Sequence, residues 1–186
     1  MVMQYRYMRR WNPGTLRPIG SEPYLDEAQA RRHYEEGGEA FEVIPEPDPM
    51  TGIPAWQMHV FTGDGSFEIW HFDERGFISR VTGFRVYDGP LFHDAVLDYF
   101  YSDEVHQGRW QGQSAASSII TAYIKPDGTS KVIYKNVVPG QETVQEYRNV
   151  VIDSYWAERP VFGRWADIAN PNFGDVGSQQ GHPGRT

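Results

Sequence analysis

The chain alternates apolar and polar residues in runs that end on Asp-Gly. Met58-His59-Val60-Phe61 leads into Thr62-Gly63-Asp64-Gly65-Ser66 and leaves through Phe67-Glu68-Ile69-Trp70-His71-Phe72. Further on, Thr121-Ala122-Tyr123-Ile124 leads through Lys125-Pro126-Asp127-Gly128-Thr129 into Ser130-Lys131-Val132-Ile133-Tyr134. Asp-Gly between apolar runs predicts a hairpin, because a turn whose twist matches its strands needs positive φ. At the same offset Phe84-Arg85 falls on Tyr147-Arg148, which points to two related halves.

The remaining elements follow from period and punctuation. A first strand is predicted over Gln4–Trp11, ended by Asn12-Pro13-Gly14. Asp26-Glu27-Ala28-Gln29 is a capping-box pattern, so a helix starts there and stops at Gly37-Gly38. A strand follows over Ala40–Ile44. Residues 45–54, with alternate prolines, form a loop. Strands over Ala55–Thr62, Ser66–Phe72 and Phe77–Tyr87 make a meander. Pairing across Asp64-Gly65 sets His59 opposite Trp70 and Met58 opposite His71. One face then carries His59, Phe61, Glu68, Trp70 and Phe72, the other Met58, Val60, Phe67, Ile69 and His71. Both are apolar enough to be covered or to line a cavity.

Asp88-Gly89-Pro90 followed by Leu91–Tyr101 predicts a second helix, with Phe92, Val96, Tyr99 and Phe100 as its apolar stripe. Ser102–Ala116 reads as a polar loop. Strands over Ser117–Ile124, Lys131–Val137 and Glu142–Tyr155 rebuild a meander. Pro160–Ile168 is a short closing helix docking Phe162, Trp165 and Ile168. The expected fold is α+β: a mainly antiparallel curved sheet or partly closed β-barrel of about eight strands, with two helices and a short third. Residues 1–169 form one globular domain, and 170–186 a flexible C-terminal tail.

Composition changes this picture in two places. Six Trp, eleven Tyr and ten Phe among 186 residues bury large areas and favour strands, which points first to a β-rich core and second to an aromatic-lined pocket or contact surface. The net charge of −8 is concentrated: residues 21–104 carry 18 acidic side chains against five arginines. An acidic surface repels phosphate backbones and argues against nucleic acid. There is no cysteine, hence neither disulfide nor thiolate chemistry. No apolar run reaches the length of a signal peptide or membrane span, so the expectation is a cytoplasmic protein without a membrane partner.

No phosphate loop, nucleophile elbow or His-Glu-x-x-His pair occurs, and no cofactor or metal site is implied. Three functional classes remain open, the third being a structural or assembly component whose tail reaches a neighbour, for which the sequence offers little. In the first, an acidic binding protein docks on and inhibits a protein partner with a basic surface, as an immunity or inhibitor protein does, with Glu46 and Asp48 in the exposed loop as partner-binding residues. In the second, a β-barrel enzyme (an isomerase, cyclase or hydrolase) takes a small apolar molecule. His59, Glu68 and Asp94 would then be its catalytic residues, and Phe61, Trp70, Arg85 and Arg148 its ligand-binding ones.

Overall fold

The computed structural model describes residues 4–102, 115–137 and 139–174. Its dominant element is one open antiparallel sheet. In chain order the strands are β1 (Tyr5–Met8), β2 (Trp11–Asn12), β3 (Arg17–Pro18), β4 (Tyr24–Leu25), β5 (Phe41–Pro45), β6 (Trp56–Phe61), β7 (Ser66–Phe72), β8 (Ile78–Val86), β9 (Leu91–Phe100), β10 (Ser118–Ile124), β11 (Ser130–Asn136), β12 (Gln141–Tyr147) and β13 (Trp156–Ala157). The main sheet runs β12-β11-β10-β9-β8-β7-β6-β5-β1-β4, with β13 added beside β9, while β2 and β3 form a separate hairpin. Both Asp-Gly ribbons lie in the main sheet. Because its end strands β4 and β12 do not meet, the sheet is not a barrel, and it has eleven strands rather than eight.

The helix α1 (Glu27–Glu36) begins as its sequence predicts. Asp26 Oδ1 accepts the Gln29 amide at 2.7 Å, Gln29 Oε1 accepts the Asp26 amide at 3.0 Å, and Gly37 closes the helix in the left-handed region. It buries Ala30 and Tyr34 against the sheet.

The second predicted helix is a strand. Asp88 and Gly89 both take positive φ, at 51° and 116°, and the Tyr87 amide bonds the Pro90 carbonyl at 2.9 Å. That is a two-residue hairpin with positive φ at both central positions. The strand it opens, β9, is paired on both sides, to β8 and β10. Its alternation is interrupted by a bulge opposite Gly83/Phe84, which inserts Asp94 as an extra residue. Across the bulge the apolar positions lose their period of two and mimic a helical stripe.

Pairing between β6 and β7 is also displaced from its expected register. Phe61 faces Ser66, so the turn holds the four residues Thr62–Gly65, His59 lies opposite Glu68, and Met58 opposite Ile69. The displacement is two residues, an even number, so each side chain keeps its predicted face. Asp64 and Asp127 organise their turns alike: each accepts the backbone N–H and the hydroxyl of the residue two places on, Ser66 or Thr129. These bonds hold both carboxyls below their ordinary range.

Two neighbouring rows of register partners show what each face is for. Tyr7–Val43–Met58–Ile69–Thr82–Val96–Ala122–Val132–Gln145 crosses the sheet on one face. At its β1–β8 end this face is buried under α1 and the segment carrying Phe162, Trp165 and Ile168, the three side chains expected to dock there. Instead of a regular helix, that segment has a single 3-10 turn at Trp165–Asp167. The row Met8–Glu42–His59–Glu68–Gly83–Ala95–Tyr123–Lys131–Glu146 runs along the other face. Here Trp11 and Leu16 of the β2–β3 hairpin region pack on Met8 and Ile44 at one end, and a smaller cluster of Ile78, Val81, Tyr99 and Ala116 lies further along.

The strand predicted over Glu142–Tyr155 ends at Tyr147, where positive φ at Asn149 (59°) turns the chain back. Of the predicted loop 102–116, residues 103–114 lie outside the described residues, as do 175–186 of the predicted tail. Within that tail, the Phe173 ring packs edge-on against Phe84 and His93.

Candidate functional site

The second row gathers most of the residues the sequence singles out. β6 supplies His59 and Phe61, β7 supplies Glu68 and Trp70, β8 supplies Arg85, and the β9 bulge supplies Asp94, all on the same face. The His59 ring lies 4.8 Å from Trp70 and 6.3 Å from Phe61, centroid to centroid. Trp70 Nε1 donates to Glu68 Oε1 at 2.6 Å.

The carboxylate that holds His59 is Glu42, a residue the sequence reading passed over. Glu42 stands opposite His59 on β5, with its side chain 8 % exposed and that of His59 19 %. Glu42 Oε1 is 3.2 Å from His59 Nδ1, while Oε2 accepts the Trp11 amide and, at 2.8 Å, Gln57 Nε2. The same Gln57 nitrogen is 3.2 Å from His59 Nε2. Since Gln57 Nε2 can only donate, this network assigns the proton of a neutral His59 to Nδ1 and makes Nε2 the acceptor. A base needs a free lone pair, and here Gln57 occupies it. The signal for Glu42 was present in the sequence: a lone carboxylate between Phe41 and Val43 must point away from their face.

Asp94 sits over Gly83, where a Cβ would meet Asp94 Oδ1 at 3.2 Å. Its carboxyl is raised above the ordinary range by burial, an effect opposed by Arg85, whose Nε lies 2.9 Å away. Arg85 is thus committed to an internal ion pair. Arg148 is remote from this group and lines a groove with Tyr123, Lys131 and Glu146. Among the described residues no group of three or more His, Cys, Asp or Glu is placed to hold a metal ion.

Glu46 and Asp48 border a different concavity, a groove of about 580 Å³ between the loop 46–54 and the end of β7. Ile53, Pro54, Ala55 and Phe72 line it, together with the acidic residues Glu46, Asp48, Asp73 and Glu74, of which Glu46 pairs with Arg6 and Asp73 with Arg75. Asp48 ties the loop: its Oδ1 accepts the amides of Met50 and Thr51 at 2.9 and 2.8 Å, and its amide donates to the Ile53 carbonyl at 3.0 Å. These contacts hold the Asp48 carboxyl below its ordinary range. Glu46 pairs with Arg6, and Met50 is 93 % exposed at the loop tip.

Comparison of the chain with protein-family models, with curated proteins and with solved structures finds no match. Among the described residues no helix is long and apolar enough to cross a membrane.

Proposed function

We propose that this chain is an acidic binding protein that docks on a protein partner with a basic surface and blocks it, in the manner of an inhibitor or immunity protein. The observation that carries this reading is the groove at the loop 46–54. Its apolar lining suits the stem of a lysine or arginine, and its acidic rim, with Glu74 outside the ion pairs that engage Glu46 and Asp73, suits the charged head. Hydrogen bonds through Asp48 fix the loop before any partner arrives, which lowers the ordering cost of association and presents Met50 outward. A net charge of −8 speeds encounter with a cation-rich surface.

Charge reversal tests it. Glu46→Lys with Glu74→Lys should weaken capture of partners from the native cell and flatten the salt dependence of that capture, with Asp48 left intact so that the loop keeps its shape. Capture that is unchanged in amount and salt dependence removes the groove from consideration.

An enzyme acting on a small apolar molecule is the second reading, favoured by the gathering of His59, Glu68 and Trp70 on one face, and it requires Gln57 to release His59 Nε2. Under it, His59→Ala abolishes turnover in a folded protein; retained turnover would eliminate His59.

A further inference from the structure

The strands β10–β12 carry a second concavity, of about 650 Å³, to which Tyr123, Lys125, Lys131, Glu146, Tyr147 and Arg148 contribute. Its charge is opposite to that of the molecule. The chain as a whole is at −8, yet here three cations face one carboxylate. Several arginines elsewhere are paired, Arg6 with Glu46, Arg75 with Asp73, Arg80 with Asp98 and Arg85 with Asp94. Among the described residues, none of Lys125, Lys131 and Arg148 has a carboxylate within the 4.0 Å of an ion pair. Cations in excess of their counter-charges, here Glu146 opposite Lys131 and Asp127 near Lys125, repel one another, and an anion bound between them relieves that repulsion.

The site is built by the fold. Tyr123, Lys131 and Glu146 are consecutive register partners on β10, β11 and β12. After β12 the chain reverses at Asn149, a non-glycine residue at φ 59°, and the Val150 amide bonds the Gly128 carbonyl at 2.9 Å. That bond fastens the segment to the β10–β11 turn, so Arg148 and Lys125 line one groove. Tyr123 remains 48 % exposed and belongs to no core cluster, whereas Tyr147, the register partner of Ser130, sends its ring to the opposite face, toward Gln145. The volume falls in the range of small-molecule sites.

We propose that this groove binds a small aromatic anion, with its ring on Tyr123 and its carboxylate or phosphate on Lys131 and Arg148. Glu146, the one carboxylate in the lining, disfavours a polyanion and selects a compact head group of low charge. The site is independent of the loop groove and stands or falls without it.

Titration of the full-length protein with phenyl phosphate and with benzoate, followed by amide chemical shifts, tests this. At least one probe should saturate, with the largest shifts at Tyr123, Lys131 and Arg148, and the tighter of the two identifies the head group. Lys131→Gln and Arg148→Gln should each weaken that probe on the order of tenfold, the usual worth of a hydrogen bond to a charged group. Glu146→Gln should tighten it, and Tyr123→Ala should weaken it while leaving inorganic phosphate unaffected. Shifts that fail to saturate for either probe, or affinities that Lys131→Gln and Arg148→Gln leave unchanged, overturn the proposal. So does phenol binding as tightly as phenyl phosphate.

Discussion

Glu42 and His59 are register partners on β5 and β6, and the carboxylate Oε1 of one stands 3.2 Å from Nδ1 of the other. Glu42 also receives the Trp11 amide and the Gln57 side chain, so a single buried carboxylate joins the β2–β3 hairpin region to β5 and β6. Removing it strands several donors at once. Glu42→Ala should cost about 2–4 kcal/mol, the range for breaking a buried charged hydrogen-bond network. Urea unfolding at neutral pH measures this, and a change below about 0.5 kcal/mol, the scatter of ordinary surface substitutions, would mean the network does not form.

The sheet's covered face makes a second demand. Trp165 is fully buried, edge-on to Tyr34 and Phe41, and its Nε1 lies 3.3 Å from the Tyr7 hydroxyl. Trp165→Ala should therefore destabilise by about 3–5 kcal/mol, as large-to-small core changes do. The thermal midpoint should fall accordingly. A small fall would show that the C-terminal segment folds over the sheet without supporting it.

Legibility in the sequence followed how local the signal was. Asp26 with Gln29, and the Asp-Gly turns at 64–65 and 127–128, are decided by a few neighbouring residues, and each was readable. Asp88-Gly89 carries the same turn signal, but Pro90 and the broken alternation across the Asp94 bulge imitate a helix start. The bulge exists because β8 and β9 slip past one another at Gly83, a relationship between distant segments that no window of residues contains. For the same reason His59, Glu68 and Trp70 could be placed on one face, since a two-residue slip preserves faces, while the true partner of His59 could not be identified. Glu42 comes from a strand that meets β6 only after the whole loop 46–54.

Gly83 itself gives a sharper test of that bulge. A Cβ there would lie 3.2 Å from Asp94 Oδ1 and 3.3 Å from the Ala95 Cβ. Gly83→Ala should push Asp94 away from Arg85 and cost about 1–3 kcal/mol, as overpacking does. Arg85→Ala, which leaves the space alone, should cost less, because the Arg85 side chain is 71 % exposed. The two variants compared by urea unfolding separate crowding from loss of the ion pair. Equal effects would contradict the close approach.

On the covered face, two buried histidines set the response of the fold to acid. His71 and His93 are 6 % and 1 % exposed, and burial, with Arg80 adding to it, lowers both to about 4. His93 stacks on Phe84 at 4.8 Å and on Tyr155 at 5.8 Å, and neither of its ring nitrogens has a hydrogen-bond partner of normal geometry. Arg80 lies in the row between His71 and Asp98 and is held by Asp98 at 2.6 Å, so the charge facing the histidines is positive. Both groups have folded values below the unfolded 6.5, so between pH 6.5 and pH 4 the unfolded chain binds more protons. Their contribution to stability is complete above pH 6.5 and is lost as pH falls toward 4, at up to about 1.4 kcal/mol per pH unit for each. Carboxylates titrate in the same direction at the lower end of this window, so the diagnostic quantity is a difference between proteins. His93→Phe, which keeps the stack on Phe84 and deletes ring nitrogens that have only poorly aligned backbone contacts with Ala95 and Phe173, should be close to neutral in stability at pH 7 and more stable than the parent at pH 5. Adding His71→Gln should flatten the slope further. Parallel stability-versus-pH curves for parent and double variant would show that these histidines are protonated in the folded protein, and that Arg80 and the segment through Phe173 do not seal them from water.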